Sequence, residues 1–175
     1  MEVHFAPPEL STLDDLRCEA LALPFFSDER PLRGALGLVD WRMCAMISKL
    51  RKSGDLEGSA GETSLLPARP KLPMDKVFLF GLGPRAKLST TQVRAAIEHM
   101  LDTLERAGVR TSALCLPGRS TDAVTPADAM EAFVGAVDAR KQHDELILLE
   151  THDAQRKMEP VIERERRRAR AQLSE

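Results

Sequence analysis

The sequence lacks a disulfide framework: its three cysteines, Cys18, Cys44 and Cys115, are odd in number and carry no CxxC spacing, which also excludes a cysteine-rich zinc site. It lacks a field of one sign. Lys plus Arg number 25 against 27 Asp plus Glu, so nothing global draws the chain to nucleic acid or to acidic lipid. Long apolar runs are missing as well. A run such as Ala20–Phe26 is far below the ~20 residues needed to cross a bilayer, and the acidic start Met1-Glu2 has no basic signal-peptide region. The expectation is a cytoplasmic chain with no membrane partner. What remains is 175 residues, 43% hydrophobic and 30% charged, which suits one domain with its own core.

Reaction centres are missing in the same way. His4, His99, His143 and His152 fall on separate elements, with no HExxH and no His-x-His pair, so surface or capping roles are expected and no metal or cofactor. No GxSxG elbow, Walker loop or kinase signature occurs. The cysteines suit core positions. Asp28-Glu29-Arg30 before Pro31 reads as a solvated loop, and Trp41, the only tryptophan, as a core anchor in the first turn of a helix.

Periodicity supplies the positive content. Strands are expected at Val3–Ala6, Ala20–Phe25, Thr63–Leu66, Lys76–Gly81, Thr111–Leu116 and Glu145–Glu150. A helix over Ser89–Ala107 repeats Val93, Ile97, Met100, Leu101 and Leu104 on one face; Ser89 with Gln92 has capping-box spacing, and Gly108 follows its end. Thr125-Pro126-Ala127-Asp128 opens another, and a third runs from near Asp40 to Ser53-Gly54. A short one is expected within Leu10–Arg17. Strands alternating with helices in the second half imply crossovers and a mainly parallel sheet. The predicted class is α/β with three layers, α/β/α, and a mixed, mainly parallel sheet of about six strands. Pro67, Pro70 and Pro73 make Leu66–Met74 a stiff link between strands. Residues 1–150 form the domain, and 151–175 a charged, solvated helical tail with its helix start at Pro160.

Two features suggest ligands. Gly81-Leu82-Gly83 ends an apolar strand, where open α/β sheets hold ligands, and Arg85, Lys87 and the helix start at Ser89 add positive charge and free N–H groups. With no third glycine and Pro84 next, the same pair also suits a sharp turn. In the tail, Arg164, Arg166, Arg167, Arg168 and Arg170 form a candidate phosphate stripe. From Thr151 to Glu175, however, seven bases meet five acids and no aromatic residue is present, which suits a helix held by Glu–Arg pairs better than a nucleic-acid surface.

Read in order, Asp28-Glu29-Arg30-Pro31-Leu32, Gly34-Ala35-Leu36-Gly37, Asp40-Trp41, Ser53-Gly54-Asp55-Leu56-Glu57-Gly58, Gly61-Glu62-Thr63, Lys76-Val77, Gly81-Leu82-Gly83 and Arg94-Ala95-Ala96 resemble the amino-terminal domain of the leucyl aminopeptidase family (peptidase family M17). The resemblance spans roughly Leu21 to Leu116. It implies a macro-domain-like fold and no catalytic or metal-binding residue, because that family's metal ions and peptide-cleaving groups belong to a separate carboxy-terminal domain and only 25 residues follow Glu150. The leading expectation is a non-catalytic module for protein interaction, regulation or oligomerisation. Its alternative is a nucleotide or phosphate module using Gly34, Gly37, Gly81, Gly83, Arg85, Lys87 and Ser89; DNA binding by the tail is a third.

Overall fold

Ala20–Phe25 and Lys76–Gly81 read as unbroken apolar runs, and both become central strands, because a strand covered on both faces has no polar side to show. The computed structural model describes residues 2–137 and 143–172. Its strands are β1 (Glu2–Ala6), β2 (Ala20–Phe25), β3 (Thr63–Pro67), β4 (Lys76–Gly81), β5 (Thr111–Leu114) and β6 (Glu145–Leu149), in the order β1-β6-β5-β2-β4-β3. Every pair is parallel except β3 with β4, which the proline-rich link joins as a hairpin. The mixed, mainly parallel sheet thus matches expectation.

Alternation along β2 and β4 divides the core in two. Ala20, Ala22, Phe78 and Phe80 face α4 (Thr90–Arg106), α5 (Pro126–Val137) and α6 (His152–Gln172). Leu21, Leu23, Phe25, Val77 and Leu79 face α1 (Leu10–Asp15), α2 (Gly34–Arg42) and α3 (Met46–Ser53). The three layers follow from that period of two.

The segment expected as one helix from Asp40 is two. Cys44 and Ala45 take left-handed φ values of 58° and 59° and break it into α2 and α3. Asp40 lies inside α2, where its carboxylate accepts the Ser48 backbone N–H (3.0 Å) and hydroxyl (2.5 Å), capping α3 from outside its own chain neighbourhood. Trp41 consequently sits on the outer side of α2, 64% exposed under the Arg42 guanidinium, and is no core anchor. Of the cysteines, Cys115 is buried, Cys18 half-buried and Cys44 exposed at the elbow, where a core position was expected.

Helix α6 starts at His152, with the Thr151 hydroxyl accepting the Ala154 N–H, and runs through Pro160. A helix-interior proline costs about 3 kcal/mol, and here burial of Ala154, Met158 and Val161 offsets it. The first half of this helix is therefore packed, where a solvated one was expected.

Candidate functional site

The strand order reverses between β2 and β5: the chain leaves β2 toward β3 and β4 on one side, and leaves β5 toward β6 on the other. Crevices at the carboxyl ends of such strands are where open α/β sheets bind ligands. Residues 26–33, after β2, and 115–125, after β5, form its walls. They touch at Gly34, whose φ is +56° and where a β-carbon would stand 3.2 Å from that of Ser120.

The β2 wall corrects the solvated loop predicted for Asp28-Glu29-Arg30. Glu29 is 6% exposed, and its two carboxylate oxygens accept the backbone N–H groups of Phe26 (3.2 Å) and Arg33 (3.1 Å). It lies at the amino-terminal end of α2, on the N–H of the N-cap residue Arg33, where an anion is favoured. Burial nevertheless pushes its carboxyl above the ordinary glutamate range, with those two N–H bonds opposing. Arg51 reaches back from α3, donating to the carbonyls of Ser27 (2.9 Å) and Glu29 (3.4 Å) over the face of Phe25. Burial, and then the charge of Arg30, lower its pKa. Beside this wall Glu62 accepts the N–H groups of Glu57 (3.2 Å), Gly58 (2.5 Å) and Ser59 (3.0 Å).

The β5 wall is held by an ion pair. Arg119 Nε donates to Glu150 at 2.8 Å, with the side chains 8% and 5% exposed, and its Nη1 donates to the Val124 carbonyl (2.6 Å). Burial raises the Glu150 carboxyl despite its partner. Burial also drives the Cys115 thiol up to about 12, so it stays protonated near neutral pH, a poor nucleophile.

The residues singled out from sequence divide. Arg85 straps the crevice: its backbone N–H donates to Asp28 (3.0 Å) and its guanidinium to the Thr121 carbonyl (2.7 Å). Gly83 accepts from the Ser27 N–H (3.0 Å) and donates to the Gly58 carbonyl (2.8 Å). Gly81 allows the Ser59 carbonyl to approach where any side chain would collide, and it lines a pocket of about 190 Å³ with Phe80, Leu88, Ala96 and His99. Gly37 packs inside α2 against the Leu32 carbonyl, 2.7 Å from where a β-carbon would stand. Lys87 is exposed. Ser89 caps α4 through the reciprocal bonds with Gln92 (3.3 and 2.8 Å) and lines a separate pocket of about 150 Å³ that includes Asp128. Gly34, Gly83 and Arg85 thus meet at the crevice; the other four do not.

Asp28, Glu29, Arg51, Glu62 and Glu150 escaped the sequence reading as site residues. Only the Asp28-Glu29 pair drew attention there, and adjacency alone does not reveal which backbone N–H groups a carboxylate will meet. In the tail, Arg164 pairs with Glu131 of α5 (2.5 Å) and with Glu165 (3.3 Å), and Arg167 with Glu163 (3.6 Å). Arg166, Arg168 and Arg170 lie on the same helix, with side chains outside those described. Among the described residues no group of three or more His, Cys, Asp or Glu is placed to hold a metal ion, and no helix is long and apolar enough to cross a membrane. A buried Ser112–His143 contact (3.2 Å) lies at the opposite end of β5 from the crevice.

Against known proteins, residues 22–141 match the family described as "Cytosol aminopeptidase family, N-terminal domain". A "Probable cytosol aminopeptidase" of Halorhodospira halophila is 36% identical over 90 residues, which cover 51% of this chain and 18% of that relative. The matched stretch therefore spans less than a fifth of the relative's length. Among solved structures, a tomato leucine aminopeptidase mutant superposes with a TM-score of 0.59 at 15% identity, covering 91% of this chain and 35% of that one. A Trypanosoma brucei macrodomain in complex with ADP-ribose gives 0.69 at 16% identity, covering 91% and 68%. At those identities the likeness is one of fold, and it makes this an α/β macrodomain-like domain. With the family match extending over most of its length, the chain belongs to the cytosol aminopeptidase family, through that family's N-terminal domain.

Proposed function

We propose that this domain is a non-catalytic module that works by contact with protein, its own copies included. The observation that carries this reading is the crevice itself. Its walls are held by the chain's own groups: Glu29 takes the backbone N–H groups of Phe26, just after β2, and of Arg33, at the start of α2, Arg119 is held by Glu150, and the Arg85 guanidinium is bound to the Thr121 carbonyl. The Arg33 N–H, Arg119 and the Arg85 guanidinium, donors that an anionic ligand would use, are thus engaged from within the chain. The surface, in contrast, carries three large apolar groups in the open, Trp41 64%, Leu65 54% and Met46 40% exposed. Light scattering on the purified chain tests the reading. A mass above one chain, or a stoichiometric complex with another protein, is expected. A one-chain mass at about 1 mM, where an association of about 4 kcal/mol is half complete, together with no co-purifying protein, overturns it. Peptidase activity of clean material with manganese or zinc would overturn its non-catalytic half.

A second reading, a module for a nucleotide or other phosphate ligand, is favoured by two buried donors with no partner beside the crevice, Thr121 Oγ1 and Arg51 Nη1. The fold shared with the macrodomain solved with ADP-ribose supports it further. In this reading Gly34, Gly83 and Arg85 form the rim, and Gly37, Gly81, Lys87 and Ser89 take no part in it. ADP-ribose at 100 times its dissociation constant would then stabilise the fold by about 2.7 kcal/mol. An unchanged melting temperature removes this reading.

A further inference from the structure

Strand β3 is one edge of the sheet, and among the described residues nothing pairs with its outer side. The register decides which backbone groups that edge offers. Gly81 donates to the Glu62 carbonyl and Ala68 to the Asp75 carbonyl, so by antiparallel alternation Glu62, Ser64, Leu66 and Ala68 face β4. Thr63, Leu65 and Pro67 therefore turn their backbone groups outward. Their side chains are exposed too, Leu65 by 54%.

Natural edges are usually blunted by charge, by proline or by a bulge. The opposite edge, β1, carries Glu2 and His4, whereas Thr63-Ser64-Leu65-Leu66-Pro67 carries no charge and has its devices only at the ends, a bulge at Gly61 and Glu62 opposite Gly81 before it and Pro67 as its last residue. The charges lie at its two ends and differ in sign. Before the strand, residues 53–62 hold Asp55, Glu57 and Glu62 and no base; after it, residues 68–76 hold Arg69, Lys71 and Lys76 against Asp75.

We propose that β3 is a self-pairing edge: a second copy of this chain adds its own β3 antiparallel about a two-fold axis at Leu65, joining two sheets into one. The proposal rests on the self-association reading above and names its surface. Leu65 meets its mate, and the two exchange both N–H···O bonds; Thr63 stands opposite Pro67 and donates to its carbonyl on either side of the axis. The missing proline N–H removes only the return bond at each end. Asp55 and Glu57 lie at the same end of the sheet as Glu62, in the loop that folds back over Gly81, and Arg69 is shared with its own Asp75. With Leu65 on the axis, antiparallel pairing sets Glu62 of each copy opposite Ala68 and next to Arg69 of the other, twice, whereas a parallel arrangement sets like against like. That mirrored pattern selects a second copy over an unrelated strand. A five-residue edge makes a small contact, so the dimer is weak and reversible.

Sedimentation equilibrium of the full chain from about 10 μM to about 1 mM covers the range of such contacts. A monomer–dimer equilibrium that weakens with added salt is expected. Leu65→Lys places like charges face to face at the axis and raises the dissociation constant about tenfold or more; because the side chain is already half-exposed, circular dichroism and melting stay at wild-type values. Arg69→Glu with Lys71→Glu weakens the dimer, and adding Asp55→Lys with Glu57→Lys restores it. If the wild type and Leu65→Lys dimerise equally, the edge is wrong while self-association stands. If the wild type remains a monomer throughout, the edge is wrong as well, and light scattering with a separate partner protein then decides the broader reading.

Discussion

Helix α4 and the crevice are held by different kinds of contact. The start of α4 is fixed by Ser89 and Gln92, three residues apart, and Gly108 with its φ of +70° lies two residues past its end. The crevice is fixed by partners far apart in the chain: Arg51 on the Ser27 carbonyl, Arg85 on the Thr121 carbonyl, Arg119 on Glu150. Local bonds reform wherever the helix forms, so losing one costs little. Arg51 and the Arg119–Glu150 pair carry buried charge, and losing one partner of that pair strands the other.

The sharpest way to break the comparison is Arg119→Ala. It leaves the Glu150 carboxylate buried without its partner, and destabilisation of about 3–5 kcal/mol is expected in urea unfolding. Arg119→Met with Glu150→Leu, which removes both charges, should recover most of that loss. Next comes Asp40→Ala, which takes two hydrogen bonds from Ser48 at the first turn of α3 and costs about 1–3 kcal/mol, more than a local cap. Ser89→Ala at α4 costs about 1 kcal/mol. If thermal melts rank Ser89→Ala as the most damaging of the three, the contrast between the two regions is wrong.

The smallest expected effect is in pH. Burial raises the carboxyls of Glu29 and Glu150, so the folded state holds their protons more tightly than the unfolded chain does. Their contribution to stability is full below the ordinary glutamate range and is lost as pH rises through the raised values. Exposed Asp144 runs the other way: the hydrogen bond from Arg110 lowers its pKa, so its contribution is present above the ordinary aspartate range and lost as pH falls. Carbon-detected NMR titration should place Glu29 above and Asp144 below their usual positions, and Glu29→Gln should flatten the fall in stability on the high side.

Much of the scaffold was legible. All six strands lie where periodicity set them, with β5 and β6 slightly shorter than expected, and the capping box of α4 is formed by the two residues whose spacing suggested it. The elbow between α2 and α3 was not, because two non-glycine residues in left-handed conformation leave no compositional trace and Asp40 acts on Ser48 eight positions away. Pro160 misled for the opposite reason: a strong local rule lost to the burial of Met158 and Val161. At the crevice, the glycines and Arg85 could be found by motif, while Glu29 read as solvent-facing until the chain turned back on it.

By itself the sequence determined the strands, the bounded helices and the parallel crossovers, because these depend on residues within a few positions of one another. Only the tertiary structure decided which carboxylate fills which set of N–H groups, that Trp41 faces outward, and that β3 presents a neutral edge between opposite charges. Those outcomes depend on loops brought together from distant parts of the chain, and no fixed spacing in the sequence encodes such a closure.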